Sequence, residues 1–427
     1  MESVTILLIV FVITLVLGVP IVWSLGLSSV CALLTMGHIP LSFLAQRMFT
    51  GAERYTLLAI FFYMLAGAIM QHGGISRRLV DLAKALTGHI SGGLSIVTIV
   101  TCVFFGALSG SSIATTAAIG AMLFPELVRA GYPKGYAASL PVLGGTLGIV
   151  IPPSIVFIVY GTTVNTSVSK LLISGIGPGV LAGLMLCVYA YVFAKIKKFP
   201  HSNAFSLAEL ARSFKSSFFA LMMPVIILGG IYTGIFTPTE SAAVAVGYGL
   251  VVSIFIYREL KWKTLITVTL DCVKGTANIM LLIMAATVFG WILTRNNVPV
   301  LFTNFIASFI HSKIMFILFM NFILLVLGMI MDSGAIILII SPLLYPIAMS
   351  YGIDPIQLGC IIVFNLAVGQ ATPPFGNCLF AATTVTGQSI ISLSKSSLPG
   401  VLILFLTVLL TSFIPAISMG LIWMMNY

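Results

Sequence analysis

The chain has 427 residues, of which 59% are hydrophobic and only 7% are charged, and its formal net charge is +10. Soluble domains carry about 25% charged residues, so a water-soluble globular protein is excluded and the outer surface must face lipid. The basic residues fall in short loops between apolar stretches, which indicates membrane orientation and argues against nucleic-acid binding. The composition predicts an all-α, polytopic membrane protein.

Apolar stretches follow one another from the start of the chain, and the first predicted span is Val4–Val22. No basic segment precedes it and no A-x-A-like site follows it before further apolar sequence, which argues against a cleavable signal peptide. Several later stretches are shorter than the ~20 residues that a crossing helix needs, so paired half-spans and re-entrant hairpins are expected. The stretches lie near residues 4–36, 55–72, 92–108, 113–130, 136–151, 155–165, 171–194, 217–236, 238–257, 275–294, 299–311, 313–331, 333–350, 356–371, 375–386 and 398–424.

Two loops hold most of the basic charge, Lys195–Lys215 and Arg258–Lys274. Two apolar spans separate them, so both loops lie on the same side, which the positive-inside rule assigns to the cytoplasm. The connection Thr233–Ser241 is then outside or folded into the core. Segments Gly74–His89 and Leu260–Lys274 are amphipathic, and we expect them to lie along the membrane interface.

The sequence also repeats itself at a spacing of 221 residues. Because the spacing is constant and involves uncommon residues, we interpret the chain as two similar structural units of about 130 residues or more. The matched positions include Ser112 with Ser333, Pro125 with Pro346, Gly148 with Gly369, Pro152-Pro153 with Pro373-Pro374, and Thr162-Thr163-Val164 with Thr383-Thr384-Val385.

The loop charges predict that the two repeats are inverted. Leu171–Ala194 runs toward the basic loop and ends in the cytoplasm. Its repeat partner, roughly 398–424, follows Lys395 and has no basic residue after it. The second copy therefore starts inside and ends outside. Inverted repeats give a transporter two interchangeable gates.

Each repeat holds a small-polar cluster and a prolyl break. The clusters are Ser109–Ser112 and Gly328–Gly334, and the breaks are Gly144–Ser154 and Asn365–Asn377. Two consecutive prolines remove two backbone donors, so the helix opens and leaves carbonyls that hydrocarbon cannot satisfy. Carbonyls and hydroxyls suit a small hard cation such as Na⁺, and half-helix N-termini suit a carboxylate. Alternatively, glycine and proline only kink the spans; the paired occurrence favours an ion site.

Two acidic residues in apolar sequence have open interpretations. Asp332 is either a functional ionisable group or the N-cap of a hairpin helix. Glu240 is better explained as a helix cap. The chain contains no GxxxxGK[ST], HExxH or GxSxG motif and no Cys/His ligand set. It therefore has no ATP site of its own, its energy comes from an ion gradient or a partner, and it is not predicted to be an enzyme.

At these motifs the chain resembles the DctM-like large membrane subunit of tripartite ATP-independent periplasmic (TRAP) transporters over nearly its whole length. Where the family usually has proline after Ala59-Ile60, this chain has Phe61, so a kink is not predicted there. The resembling segments are Leu57–Ile60, Leu65–Gly67, Gly73–Leu79, Ser109–Thr115, Gly148–Ser154, Thr237–Ala243, Gly328–Asp332 and Gly369–Pro374.

The resemblance implies an elevator-type transporter of the ion-transporter superfamily type, with two Na⁺ sites. It further implies a small four-helix membrane subunit, a periplasmic solute-binding protein, membrane lipid as surroundings and a bacterial inner-membrane location. By motif, one Na⁺ site would involve Ser109, Ser111, Gly148, Ile151 and Pro153, and the other Gly328, Gly369, Thr372 and Phe375. Ser112, Thr146, Asp332, Ser333 and Asn377 would face the substrate.

These expectations divide the chain into five parts. Residues 1–90 form N-terminal scaffold helices and an interfacial helix, and 91–170 the first transport-core repeat. Residues 171–311 form scaffold and arm helices with the cytoplasmic basic loops. Residues 312–391 form the second transport-core repeat, and 392–427 a C-terminal scaffold helix.

The leading hypothesis is Na⁺-coupled uptake of a small organic acid (a C4-dicarboxylate, sialic acid or another sugar acid) that a binding protein delivers. The alternative is a stand-alone ion/carboxylate symporter of related architecture. An intramembrane enzyme is disfavoured because the motifs supply serines without a nearby histidine or lysine.

Overall fold

A computed structural model describes residues 2–37, 39–199 and 206–425, and the regular secondary structure of these residues is helical throughout. Residues 200–205 of the basic loop Lys195–Lys215 lie outside the described part. Within the described residues, eight helical stretches are long and apolar enough to cross a membrane, which confirms the predicted polytopic α-helical class. These stretches are Tyr55–His72, Val168–Lys197, Leu207–Tyr232, Pro238–Ile256, Trp262–Arg295, Lys313–Ile330, Ser333–Ser350 and Ile390–Phe413.

The helices of the N-terminal half comprise a leading group and the first repeat. The leading group is α1 (Glu2–Val16), α2 (Ile21–Met36), α3 (Ser42–Ala52), α4 (Leu58–His72) and α5 (Ile75–Thr87). The first repeat and its exit are α6 (Gly93–Ser109), α7 (Ser112–Arg129), α8 (Lys134–Gly145), α9 (Ile155–Val164), α10 (Val168–Ser174) and α11 (Ile176–Lys197).

The C-terminal half begins with four connecting helices. They are α12 (Leu207–Tyr232), α13 (Pro238–Val251), α14 (Trp262–Arg295) and α15 (Val298–Phe309). The second repeat and its exit are α16 (Lys313–Ile330), α17 (Ser333–Ser350), α18 (Pro355–Gln370), α19 (Asn377–Thr386), α20 (Ile390–Phe413) and α21 (Pro415–Met424). Of the five predicted parts, the two transport-core parts contain α6–α9 and α16–α19, while α10 crosses the boundary drawn at residue 170.

Three predicted segments differ from the structure. The expected first span Val4–Val22 is interrupted, because Gly18 has φ +77° and Pro20 lacks an N–H, so α1 and α2 form two helices that pack on each other. The expected single C-terminal helix is likewise divided at Pro415. Leu260–Lys274 is not a separate interfacial segment, since most of it forms the start of the 34-residue helix α14.

Other local expectations are met by the backbone. Helix α4 passes through Phe61 without interruption, in line with the absence of proline there. Glu240 caps α13 in a capping box: the Thr237 N–H donates to Glu240 Oε2 at 2.8 Å, and the Glu240 N–H donates to Thr237 Oγ1 at 3.3 Å. This confirms the capping interpretation of Glu240.

Helix boundaries in the two halves correspond at the same 221-residue spacing as the sequence. Helix α7 begins at Ser112 and α17 at Ser333, and both helices have 18 residues. The Pro152–Pro153 and Pro373–Pro374 peptide bonds are both cis. Each half therefore contains a helical hairpin (α6–α7 or α16–α17) followed by a helix broken at a proline pair (α8–α9 or α18–α19).

The two halves are interleaved. The short helix after the first break, α9, packs on the second hairpin through α17, and the short helix after the second break, α19, packs on the first hairpin through α7. Each broken helix also packs on its own hairpin, α8 on α7 and α18 on α16. This arrangement brings both hairpin tips and both breaks to one place inside the molecule.

Candidate functional site

The hairpin tips are formed by residues that end one helix and start the next. Gly110 has φ +62°, a conformation that favours glycine, and it closes α6. Ser111 then caps α7, accepting a hydrogen bond from the Ala114 N–H at 3.3 Å. In the second hairpin Asp332 caps α17, accepting from the Gly334 N–H at 2.9 Å. Both tips thus direct a helix N-terminus into the interior.

At the first tip, oxygen atoms gather against the first break. The Ser109 and Thr115 hydroxyl oxygens are 2.9 Å apart, and Thr115 Oγ1 donates to the Ser111 carbonyl at 2.8 Å. A Cβ built on Gly148 would stand 2.6 Å from both the Ser111 carbonyl oxygen and Thr115 Oγ1. Only glycine at position 148 allows the break and the tip to approach this closely.

The carbonyl of Pro153 reaches the same tip. A Cβ built on Gly110 would lie 2.6 Å from the Pro153 oxygen, so the tip and the proline pair are in direct backbone contact. Ser109, Ser111, Thr115, Gly148 and Pro153 together form what we term the first oxygen cluster. Four of these residues belong to the first predicted Na⁺ site. The fifth member of that site, Ile151, packs its side chain against Gly179 of α11.

The second half builds a similar contact from glycines. A Cβ built on Gly328 would lie 3.1 Å from the Gly369 Cα, and one on Gly369 would lie 2.6 Å from the Gly328 Cα. The Thr372 N–H donates to the Gly369 carbonyl at 3.0 Å, and its hydroxyl donates to the Val368 carbonyl at 2.7 Å. We term Gly328, Gly369 and Thr372 the second oxygen cluster. Phe375, the remaining predicted member, is 56% exposed.

A cavity of about 720 Å³ lies between the hairpin tips and the helices α4 and α14. Three of the residues predicted to face the substrate line it: Ser112, Asp332 and Ser333. Asn377 contacts the lining, because its Nδ2 donates to Asp332 Oδ1 at 3.4 Å. Thr146 is fully buried and donates to the Leu143 carbonyl at 2.7 Å, so its hydroxyl is engaged within its own helix.

The cavity joins a polar end to apolar walls. Its polar end is formed by Ser109–Ser112, Asp332 and Ser333 with Gln370, whereas α4 and α14 contribute mainly apolar side chains such as Met64 and Ile279. An apolar wall with a few convergent polar groups is the usual composition of a small-molecule site. The N-cap interpretation of Asp332 is confirmed, since its carboxylate accepts from the Gly334 N–H at the start of α17, and the residue also lines the cavity.

Two residues that sequence reasoning left out of the site belong to it. Thr115 belongs to the first oxygen cluster. Its position close to the small-polar cluster Ser109–Ser112 is a sequence feature from which this could have been predicted. Gln370 lines the cavity and contacts both hairpin tips, accepting from Ser112 Oγ at 2.5 Å and donating to Ser333 Oγ at 2.7 Å. Its signal was its place inside the predicted break Asn365–Asn377, next to Gly369.

The two oxygen clusters consist of hydroxyl and carbonyl oxygens, and the cavity beside them is also lined by the carboxyl groups of Asp332 and Asp271. Throughout residues 2–37, 39–199 and 206–425, no three His, Cys, Asp or Glu side chains are grouped to hold a metal ion. Hydroxyl and carbonyl oxygens at two clusters suit a weakly held, hard monovalent cation better than a transition metal. The N-termini of α7 and α17 carry partial positive charge, which suits a carboxylate or another anion.

Comparison with known proteins links this arrangement to membrane transport. Residues 8–417 match the family described as "Tripartite ATP-independent periplasmic transporter, DctM component". The chain is 44% identical over 398 residues to the C4-dicarboxylate TRAP transporter large permease protein DctM of Pseudomonas aeruginosa, covering 93% of each chain. It is 40% identical over 410 residues to the isethionate TRAP transporter permease protein DctMQ of Oleidesulfovibrio alaskensis, covering 96% of this chain and 65% of that protein.

A solved structure shares the fold at much lower sequence identity. The YdaH transporter of Alcanivorax borkumensis superposes with a TM-score of 0.65 at 17% identity, with 88% of each chain covered. At this identity the likeness concerns the fold alone.

Proposed function

The chain belongs to the DctM-component family of tripartite ATP-independent periplasmic transporters, so it is a multi-pass permease subunit and not an enzyme, and we propose that it performs Na⁺-coupled uptake of a small organic acid. The observation that carries the proposal is the pair of oxygen clusters that flank one cavity. Each cluster joins a hairpin to a broken helix, so a cation bound there stabilises the closed contact between them.

The anion has a separate place in the same cavity. Ser112 and Ser333 begin the helices α7 and α17, and their N-termini offer partial positive charge to a carboxylate. One relative is named for C4-dicarboxylates and another for isethionate, a sulfonate. We therefore propose the substrate class as small organic acids, with C4-dicarboxylates, sialic acid and other sugar acids as the members to assay.

Two partners follow from the tripartite family. We propose that a small four-helix membrane subunit packs on the scaffold helices and that a periplasmic solute-binding protein delivers the solute. The protein would then reside in the bacterial inner membrane, with membrane lipid around the scaffold. The isethionate relative, of which this chain covers 65%, carries additional sequence beyond the matched permease.

We propose further that the two halves are inverted and move as an elevator. At the end of the first hairpin, Tyr132 contacts Phe199 beside the basic loop, with ring centroids 4.4 Å apart. At the end of the second hairpin, the Pro355 carbonyl accepts from Tyr160 of α9 at 3.0 Å. The C-terminal end of α9 is held by Arg54, which donates to Asn165 Oδ1.

The region of Arg54 adjoins the connection between α12 and α13, because Thr239 Oγ1 donates to the Tyr55 carbonyl at 3.4 Å. That connection and the basic loop lie at opposite ends of α12, a 26-residue candidate span. These contacts support opposite membrane faces for the two hairpin ends, as inverted repeats require.

The test is uptake by the complete system in liposomes. The permease, the small subunit and the solute-binding protein are reconstituted together, and succinate, isethionate and sialic acid are assayed with and without an inward Na⁺ gradient. We expect uptake of one of these solutes to require the gradient. Equal uptake without Na⁺ contradicts the coupling.

The alternative is a stand-alone ion/carboxylate symporter of related architecture. Reconstitution of the permease without its two partners separates the alternatives: solute uptake by the chain alone supports the symporter, and uptake only with both partners supports the tripartite system.

A further inference from the structure

Gln370 occupies the point where the two hairpin tips meet. It is the last residue of α18, three residues before Pro373 of the second break, and it is 3% exposed. Its Oε1 accepts from the Ser112 hydroxyl at 2.5 Å, and its Nε2 donates to the Ser333 hydroxyl oxygen at 2.7 Å. Cys378 of α19 places its thiol 3.7 Å from the same Oε1. A single buried amide therefore ties both tips together.

The bridge connects equivalent serines of the two repeats, but only the second repeat supplies the amide side chain. Ser112 and Ser333 are equivalent residues of the two halves, and each begins the second helix of its hairpin. The residue equivalent to Gln370 in the first half is Ile149, which lines the cavity but whose side chain has no group that can donate or accept a hydrogen bond. One amide thus joins the tips of both halves.

The bridge also leads from one oxygen cluster to the other. Ser112 follows Ser111, whose carbonyl belongs to the first oxygen cluster, and Gln370 follows Gly369 of the second. The path from cluster to cluster consists of two peptide links and one hydrogen bond. A buried hydrogen bond is costly to leave unmade, so displacement of one tip disturbs the groups at the other.

We propose that Gln370 is a positioning residue that couples the two predicted Na⁺ sites through its hydrogen bonds to Ser112 and Ser333. Binding of one Na⁺ orders one tip, and the bridge presents the other tip in its binding geometry, so the second Na⁺ binds more tightly. The inference rests on the two Na⁺ sites of the proposed function. What the inference adds to the proposed function is positive cooperativity between the two Na⁺ sites.

The experiment measures binding of radioactive Na⁺ to the full-length permease in lipid nanodiscs, without solute. The variant is Gln370→Leu, which keeps much of the side-chain volume and removes both hydrogen bonds. We expect sigmoidal Na⁺ binding by the wild type, with a Hill coefficient clearly above one. In the variant the coefficient falls to one and the half-saturating Na⁺ concentration rises by roughly fivefold or more.

The matched control is Gln357→Leu. Gln357 is also 3% exposed and also lies in α18, but its Nε2 donates to the Ser412 carbonyl at 3.2 Å, away from the cavity. We expect this control to bind Na⁺ with the wild-type Hill coefficient. An equal loss of cooperativity in both variants overturns the proposal, because the effect would then come from any buried amide in this helix.

Three further outcomes are distinguishable. If Na⁺ binding is equally cooperative in Gln370→Leu and in the wild type, the proposed role of Gln370 is overturned, while Na⁺ coupling of uptake is unaffected. Non-cooperative Na⁺ binding by the wild type has the same two consequences. Absence of Na⁺ binding by the wild type overturns the Na⁺ part of the proposed function together with this inference. If Gln370→Leu does not fold, Ser112→Ala and Ser333→Ala each delete one half of the bridge; reduced cooperativity in both supports the proposal, and its retention in either overturns it.

Discussion

At the residue scale, Thr115 is the member of the first oxygen cluster whose hydroxyl can be removed with least change of shape. Its Oγ1 lies 2.9 Å from Ser109 Oγ and 2.8 Å from the Ser111 carbonyl. We expect Thr115→Val to weaken Na⁺ binding by about 1 kcal/mol, or roughly fivefold in the half-saturating Na⁺ concentration of uptake. Thr407→Val is the control, because that buried hydroxyl bonds only within α20 in the described structure. Unchanged Na⁺ dependence in Thr115→Val contradicts the cluster.

Gly148 offers a test of the close approach between tip and break. An alanine Cβ would stand 2.6 Å from the Ser111 carbonyl oxygen, which forces the backbone to shift. We expect Gly148→Ala to destabilise the permease by about 1–3 kcal/mol and to raise the Na⁺ requirement. In Gly247→Ala, nothing lies within 4 Å of the new Cβ. This control should raise stability by about 0.5–1 kcal/mol, since Gly247 is in the interior of α13. Thermal denaturation in detergent measures both, and equal changes in the two variants would contradict the packing argument.

Much of the site was predictable at this scale because small residues and prolines record backbone geometry. Gly148 and Gly369 mark positions where a side chain does not fit, and such positions are visible in the sequence. The Gln370 bridge was not predictable, because 258 residues separate its partner Ser112 from it. The direction of the Thr146 side chain could not be predicted from the sequence either, because it depends on the helical register at the break.

At the element scale, the capping box of α13 fixes where that helix begins. Removing the hydroxyl in Thr237→Ala leaves the Glu240 N–H without its partner, and we expect a loss of about 1 kcal/mol of stability. Thr237→Ser restores the acceptor and should restore the melting temperature. Thermal denaturation of the purified permease measures the difference; an alanine variant as stable as the wild type would mean that water satisfies the helix end equally well.

Element boundaries followed the sequence closely where the apolar pattern and a breaker agree. The hairpin helices α7 and α17 begin at Ser112 and Ser333, both within the predicted small-polar clusters Ser109–Ser112 and Gly328–Gly334. The prediction failed where hydropathy alone was used. Between Val4 and Val22 the residues remain apolar, although Gly18 and Pro20 separate the end of α1 from the start of α2. A prediction from hydropathy alone therefore merged two helices into one span.

At the scale of the whole molecule, inversion of the repeats has a direct topological consequence. Arg129 ends α7 and Ser350 ends α17, at equivalent positions of the two halves, and both side chains are exposed. In inverted repeats these residues lie on opposite membrane faces. We expect Ser350→Cys to react with a membrane-impermeant thiol reagent in intact cells and Arg129→Cys to react only after the inner membrane is permeabilised.

The control for this labelling is a background in which the six native cysteines are replaced. A cysteine at Ile235, which is 69% exposed in the connection between α12 and α13, should label like Ser350→Cys. Labelling of both hairpin ends from the same side would indicate parallel repeats and would remove the basis for an elevator with two equivalent gates.

The interleaving of α9 with α17 and of α19 with α7 has a consequence for biosynthesis. The polar tip of the first hairpin completes its contacts only when Gln370, 258 residues later, has been made. At synthesis rates of about 5–20 residues per second, this takes roughly 13–50 seconds. During that interval Ser112 and its neighbours enter the bilayer without their final partners. The insertion machinery must therefore shelter a half-built hairpin, and a ribosome that stalls between the halves leaves a fragment that cannot mature.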